Sequence, residues 1–302
     1  MASSLNYTVH RYGSHELQRV GVWDLDVADK AKYWVIFIHG GAWRDPRVTH
    51  QVFVSSISRI LESSSDGSTP ASSSGGGGGL GTPGIAAFAS IDYRLSPHPE
   101  FPQDPASTPK DQLRDARHPD HLDDVRAALV FLQRAFGFGT RCVLLGHSAG
   151  GCLAYQLLAT APPSNEVPKA EDPVLPDVVL GIEGIYDMTG LNARVGGSYS
   201  EFLSAAFGPP ADWDQAAPMK FAGSYRDRFR GLAALAHSPD DELVDMPETE
   251  GMAQRLAGDV DEEKLLVFKD LKGKHEEIIE DGSGVARVVL RLLAILGDGN
   301  RD

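Results

Sequence analysis

The sequence predicts an α/β fold: a mostly parallel central sheet with helices on both faces and a small lid. Three observations predict it. Continuous apolar runs recur along the chain at 33–38, 85–91, 142–145, 177–182, 231–236 and 265–268, as expected of strands buried on both faces of a parallel sheet. Between them lie stretches with apolar residues at helical spacing, Val54, Ile57, Ile60 and Leu61 within 52–61, and Val125, Leu129 and Leu132 within 122–136. Finally, the run 142–145 leads directly into Gly146-His147-Ser148-Ala149-Gly150 and then into a helical stretch at 151–158. A strand that turns at once into a helix through G-x-S-x-G presents its serine at the apex of a sharp turn, where small neighbours let the backbone fold tightly.

Length and composition bound what such a fold can do. With 302 residues, 42% of them hydrophobic, the chain can bury a sizeable core as one domain spanning 1–302. The net charge of −14 excludes nucleic acid and an anionic membrane surface as expected partners, because their phosphates would be repelled. A small-molecule substrate is expected instead. The two cysteines, Cys142 before the serine turn and Cys152 after it, read as buried thiols of a reducing compartment rather than a disulfide framework. The first residues lack a basic and an apolar region, and no run of about 18 apolar residues occurs. The expectation is a soluble, cytoplasmic protein.

In chain order, residues 20–27 read as an early strand at an edge or in a hairpin, with alternation from Trp23 onward. The run 33–38 ends in His39-Gly40-Gly41-Ala42-Trp43. Glycines at the carboxyl end of a central strand let backbone N–H groups face a ligand unobstructed, so this segment reads as an oxyanion loop. Residues 52–61 form the first helix. The tract 63–84 is rich in serine and holds five successive glycines; with almost no apolar surface to offset its ordering entropy, it reads as a disordered surface insertion. Proline-rich passages at 97–119 and 162–176 are irregular loops. The excursion 183–230 contains Tyr186, Phe202, Phe207, Trp213, Phe221 and Tyr225. Ligands of open α/β sheets bind beyond the carboxyl ends of the strands, so this segment is a candidate lid or pocket wall. Each aromatic taken singly is expected to serve packing.

A serine hydroxyl is a weak nucleophile and needs a base, an orienting acid and oxyanion donors. In folds built on this turn the acid and then the histidine follow the serine along the chain. Only His237 and His275 lie downstream of Ser148. His237 directly ends the run 231–236, with no room for an acid-bearing strand before it. His275 follows the last run, within Lys272-Gly273-Lys274-His275 and ahead of a helix, and is the expected base. For the acid, Asp240, Asp241, Glu242 and Asp245 all compete in the loop after 231–236. The N–H of Gly41 or Ala42, with that of Ala149, would hold the oxyanion. No His/Cys or His/Glu cluster stands at metal-ligand spacing, so neither metal nor cofactor is expected.

These features together resemble the α/β-hydrolase fold across nearly the whole chain. Within it, His39-Gly40-Gly41-Ala42-Trp43-Arg44-Asp45-Pro46 and Ser238-Pro239-Asp240-Asp241-Glu242-Leu243 resemble the kynurenine formamidase family, notably its fungal form. The elbow Gly-His-Ser-Ala-Gly-Gly is shared with many esterases, whereas hormone-sensitive-lipase-like esterases usually carry a third glycine where Ala42 stands. The resemblance selects Asp241 as the acid beside Ser148 and His275. It implies hydrolysis of N-formyl-L-kynurenine to L-kynurenine and formate in tryptophan degradation toward NAD, and it allows a homodimer. The formyl group is tiny, so selectivity would come from the aromatic ring and the amino-acid end of the leaving group. Trp43 either borders that pocket or packs beneath the oxyanion loop. The rival readings are a general short-chain carboxylesterase and a non-catalytic binding scaffold; retention of Ser148, Asp241 and His275 together counts against the latter.

Overall fold

The apolar runs become strands of one sheet. The structure is a computed structural model that describes residues 5–65, 84–161 and 172–299. The strands are β1 (Asn6–Arg11), β2 (Arg19–Asp24), β3 (Tyr33–Ile38), β4 (Ile85–Ile91), β5 (Cys142–His147), β6 (Val178–Ile182), β7 (Leu232–Ala236) and β8 (Leu265–Phe268). They lie in the order β1-β2-β4-β3-β5-β6-β7-β8. All neighbours from β4 to β8 are parallel, and β2 is antiparallel to both β1 and β4. The expected strand at 20–27 is therefore in a hairpin but not at the edge. The edge on that side is β1, a strand with no apolar signature because nearly all of it is exposed.

Helices α1 (Val54–Ser65), α2 (Asp120–Phe136), α3 (Ala149–Thr160), α4 (Met188–Arg194), α5 (Ser200–Phe207), α6 (Pro210–Ala216), α7 (Met246–Ala257), α8 (Glu277–Asp281) and α9 (Ser283–Gly299) cover the sheet. The continuous apolar runs are explained by two cores, one on each face. Trp34, Ile36 and Ile38 of β3 pack with Leu129 of α2 and Leu153 of α3. Their neighbours Val35 and Phe37 pack on the opposite face with Ile57 of α1 and Val289 of α9. Alternation of strand side chains sends every second residue to each layer, so both sets must be apolar.

Helix α1 runs on through Ser63 and Ser64, whose hydroxyl donates to the Ile60 carbonyl at 2.7 Å. Residues 63–65 of the expected insertion 63–84 are thus helical, and 66–83 lie outside the described residues, as do 162–171 of the second proline-rich loop. The passage 97–119 is irregular as expected. Cys142 and Cys152 are buried free thiols. Among the described residues no helix is long and apolar enough to cross a membrane.

Candidate active site

Ser148 joins β5 to α3 at φ +55°, ψ −120°. An L-residue held there costs on the order of 1–3 kcal/mol, which the surroundings must impose. Its own N–H donates to the Ile182 carbonyl at 2.9 Å, and its carbonyl accepts from the N–H groups of Gly151 and Cys152 at 3.0 and 3.2 Å. The flanking glycines are required by close approach. A Cβ at Gly150 would sit 2.1 Å from the Ile38 carbonyl oxygen, and one at Gly146 would sit 2.1 Å from that of Gly150. The end of β3, the turn and the start of α3 are thereby pressed together. Ser148 lines a cavity of about 260 Å³ that Gly41, Ala42 and His275 also line.

Three successive residues of the glycine loop adopt left-handed backbone: Gly41 (φ +81°), Ala42 (φ +49°) and Trp43 (φ +60°). Only the first is relieved by being glycine. The loop is held by Arg44 and Asp45, whose N–H groups both donate to the Gly41 carbonyl at 2.9 Å, and by Tyr93, whose hydroxyl donates to the His39 and Gly40 carbonyls at 3.1 and 3.0 Å. His39 is buried away from the cavity, stacked on Tyr93 with ring centres 4.4 Å apart. Trp43 is fully buried and meets Phe207 of α5 edge-on at 4.8 Å; it packs the loop against α5 and does not line the cavity. Among the described residues the N–H groups of Gly41, Ala42 and Ala149 have no acceptor. These are the donors a developing oxyanion beside Ser148 would need.

His275 stands in the loop between β8 and α8, 2% exposed. Its Nδ1 lies 2.8 Å from Oδ2 of Asp241, which assigns the proton to Nδ1 and leaves Nε2 free to act as a base. The other oxygen of Asp241 accepts from the N–H groups of Leu243 and Val244, both at 2.9 Å. Burial would raise the Asp241 carboxyl, but His275 and these two N–H groups outweigh it and hold it below the usual carboxylate range. Asp240 is exposed, and Asp245 is paired with Arg194 at 2.6 and 2.9 Å. Glu242 accepts from the His275 backbone N–H, at 3.3 Å, and not from its ring. His237 supports the loop of Asp241: its Nε2 donates to the Val244 carbonyl at 2.9 Å and its Nδ1 meets the Thr249 hydroxyl at 2.7 Å. Among the described residues no hydrogen bond joins Ser148 to His275; such contacts commonly tighten around substrate.

Two further residues of the site were not anticipated. His147, the variable residue of the G-x-S-x-G turn, places its ring 4.5 Å from that of His275 and donates from Nε2 to the His275 carbonyl at 3.1 Å. Burial, with His275 beside it, holds its imidazole well below the usual histidine range, hence neutral. Glu183 directly follows β6, fully buried and at φ +49°. The signal available in the sequence was an acid standing immediately after a wholly apolar strand. His147, Glu183 and His275 are metal-ligand types whose donor atoms lie within 4.8 Å of one another. In this arrangement His275 Nδ1 is committed to Asp241 and His147 Nε2 to a carbonyl.

No family model matches the chain. A kynurenine formamidase of Aspergillus versicolor is 32% identical to it over 275 residues, covering 84% of this chain and 86% of that protein. A kynurenine formamidase-like hydrolase of Fusarium equiseti is 35% identical over 272 residues, 88% of this chain and 84% of that one. The chain belongs to the kynurenine formamidase family. Solved structures show the fold of this family member: esterase B from Lactobacillus Rhamnosis superposes with a TM-score of 0.67 at 15% identity, covering 99% of this chain and 88% of that one. An esterase/lipase from an uncultured bacterium does so at 0.63 and 16%, covering 96% and 85%. Both carry the α/β-hydrolase fold expected above.

In this formamidase family member the far wall of the cavity comes from the excursion between β6 and β7. Of its six aromatics singled out in the sequence only Phe202 lines the cavity; Tyr186, Trp213 and Tyr225 are core residues and Phe207 packs on Trp43. Tyr199, which sequence reading passed over, stands beside Phe202 with ring centres 5.0 Å apart. Arg44 and Asp45 add both signs of charge to the wall. Arg44 bonds Glu201 at 2.9 Å with its guanidinium over the Phe202 ring, and Asp45 pairs with Arg47 at 2.7 Å.

Proposed function

We propose that this chain is a serine hydrolase that cleaves N-formyl-L-kynurenine to L-kynurenine and formate. The observation that carries the reading is a buried His275–Asp241 pair on the same cavity as Ser148, in a chain 35% identical to a formamidase-like hydrolase. In this reading Ser148 Oγ attacks the formyl carbon while His275 Nε2 takes its proton, and Asp241 stabilises the imidazolium. The N–H groups of Ala149 and of Gly41 or Ala42 receive the oxyanion. His275 then protonates the aryl nitrogen, the C–N bond breaks and L-kynurenine leaves. Water, deprotonated by the same imidazole, attacks the formyl ester, and formate departs from Ser148.

The segment 183–230 serves here as the lid and pocket wall. Phe202 and Tyr199 flank the aryl ring, Arg44 takes the substrate carboxylate and Asp45 its ammonium. The cavity of about 260 Å³ lies just under the roughly 300 Å³ at which small-molecule pockets usually start, and its opening to solvent leaves room for the tail of the ligand. The chain's negative charge supports a small substrate rather than nucleic acid or an anionic membrane, and its buried free thiols support a cytoplasmic setting.

Two expected results test the parts. Arg44→Met should raise KM for N-formyl-L-kynurenine about tenfold, the loss of one charge-assisted contact, while initial rates on formanilide, which lacks the amino-acid tail, change little. Equal effects on both substrates would remove Arg44 from the tail subsite. Asp241→Asn should lower kcat by roughly 10⁴ by misorienting the imidazole, whereas Asp240→Asn should stay within about threefold of wild type. Steady-state kinetics with the roles reversed would reassign the acid.

A further inference from the structure

Glu183 has no part in the mechanism above, yet it lies under the base. Its Oε2 is 3.4 Å from Nδ1 of His275 and 3.4 Å from Nε2 of His147. Its Oε1 accepts from the Ser238 N–H at 3.1 Å, which ties it to the loop that carries Asp241. The residue is wholly buried and its backbone is left-handed, although it is not glycine. A bulky side chain is kept at such a position only when the surroundings fix it.

The proton inventory decides its state. As a carboxylate, Glu183 would leave Oε2 buried with no hydrogen-bond donor, and would place a second negative charge beside that of Asp241 under one imidazole. As a neutral acid, it has a donor to offer, and the Asp241 carboxylate is its neighbour at the same ring nitrogen, 2.8 Å from Nδ1 of His275 where Glu183 stands at 3.4 Å. A buried polar atom without a partner costs about 1–3 kcal/mol, so the proton belongs on Oε2. The groups facing it are His147 from the serine turn, His275 from the β8–α8 loop, and Asp241 and Glu242 from the β7–α7 loop; His237 of that loop stands 3.5 Å from Asp241 Oδ2.

We propose that Glu183 is a positioning residue of the site, a neutral carboxylic acid that donates a hydrogen bond to Asp241 and keeps that carboxylate on Nδ1 of His275. The inference rests on the reading of Ser148, His275 and Asp241 as the catalytic set. Burial first, then the charge of Asp241, push the Glu183 carboxyl up to about 9, consistent with a proton retained at neutral pH. Above that range Glu183 ionises, the donor is lost, and two carboxylates repel beneath the imidazole. Asp241 then no longer orients His275, so kcat has an alkaline limb that belongs to Glu183.

The test is kcat for N-formyl-L-kynurenine between about pH 6 and about pH 10.5, a span that brackets the site's ionisations, with wild type, Glu183→Ala, Glu183→Gln and Ser148→Ala. Glu183→Ala should lose about tenfold at neutral pH. Glu183→Gln should recover most of that loss, because its amide can both accept from Ser238 and donate to Asp241, and its alkaline limb should move up by at least about one unit. If Gln loses as much as Ala, an ionised carboxylate is required and the proposal is wrong. A wild-type alkaline limb retained in Glu183→Gln overturns it equally, and this comparison decides alone if Glu183→Ala does not fold. Activity surviving in Ser148→Ala would sink the catalytic reading instead, a result separable from either Glu183 outcome.

Discussion

Ser148→Ala is expected to lower kcat for N-formyl-L-kynurenine by on the order of 10⁴ to 10⁶ while leaving stability close to wild type. The activity loss follows because nothing else on the cavity wall replaces the hydroxyl; free N–H donors at Gly41, Ala42 and Ala149 can still polarise a carbonyl, which sets the residual rate. Stability is spared because alanine meets the same left-handed backbone at φ +55° as serine, and because the turn is secured through backbone bonds to Ile182, Gly151 and Cys152 rather than through the hydroxyl. Steady-state rates and a urea melt on one preparation check both halves. Loss of fold together with activity would leave the role of the hydroxyl undecided by this variant, so an unchanged melt is part of the expected result.

His275→Ala should lower kcat by the same order, since nucleophile and base act as a unit, but here stability should fall as well. The imidazole is the partner of Asp241 at 2.8 Å and packs on His147. Without it Asp241 keeps the N–H groups of Leu243 and Val244 and His237 at 3.5 Å, but its Oδ2 loses the closest partner, its carboxyl rises from its lowered position, and a buried acceptor is weakened. A loss of about 1–3 kcal/mol is expected. The linkage has a definite sign: the depressed folded-state Asp241 contributes stability above its unfolded value near 3.8 and loses it as pH falls. Melts near pH 7 should therefore separate variant from wild type, and the gap should narrow progressively as pH falls below the unfolded value near 3.8. A constant gap across that range would mean that packing, not the ion pair, carries the loss.

Much of the fold was legible because a strand buried on both faces leaves an uninterrupted apolar run, as at Tyr33–Ile38, and the structure reproduces those bounds. The strand β1 was not legible, since exposed residues at a sheet edge need no pattern. At the site, motif and chain order brought Ser148, His275 and the loop of Asp241 into view, but order alone could not choose among four acids; the hydrogen bond to Nδ1 singles out one by geometry. Glu183 and His147 escaped notice because neither is specified by the turn's pattern: one occupies its variable position, the other follows a different strand. The three left-handed residues of the glycine loop were hidden too, because Ala42 and Trp43 are residues that ordinarily avoid that region. Trp43 could be given two roles from sequence, and its contact with Phe207 assigns it to packing.

In the proposed function this site gains its transition-state binding from an aryl formamide rather than from any acyl ester. Esters are intrinsically easier to cleave, so turnover of an activated ester by itself decides nothing. Only interactions with the leaving group distinguish the two readings. The direct measurement is kcat/KM for N-formyl-L-kynurenine against 4-nitrophenyl acetate on the same enzyme. The account predicts a ratio of at least about ten in favour of the formamide, a difference of ~1.4 kcal/mol, and a ratio of one or less would contradict it and leave a general short-chain esterase.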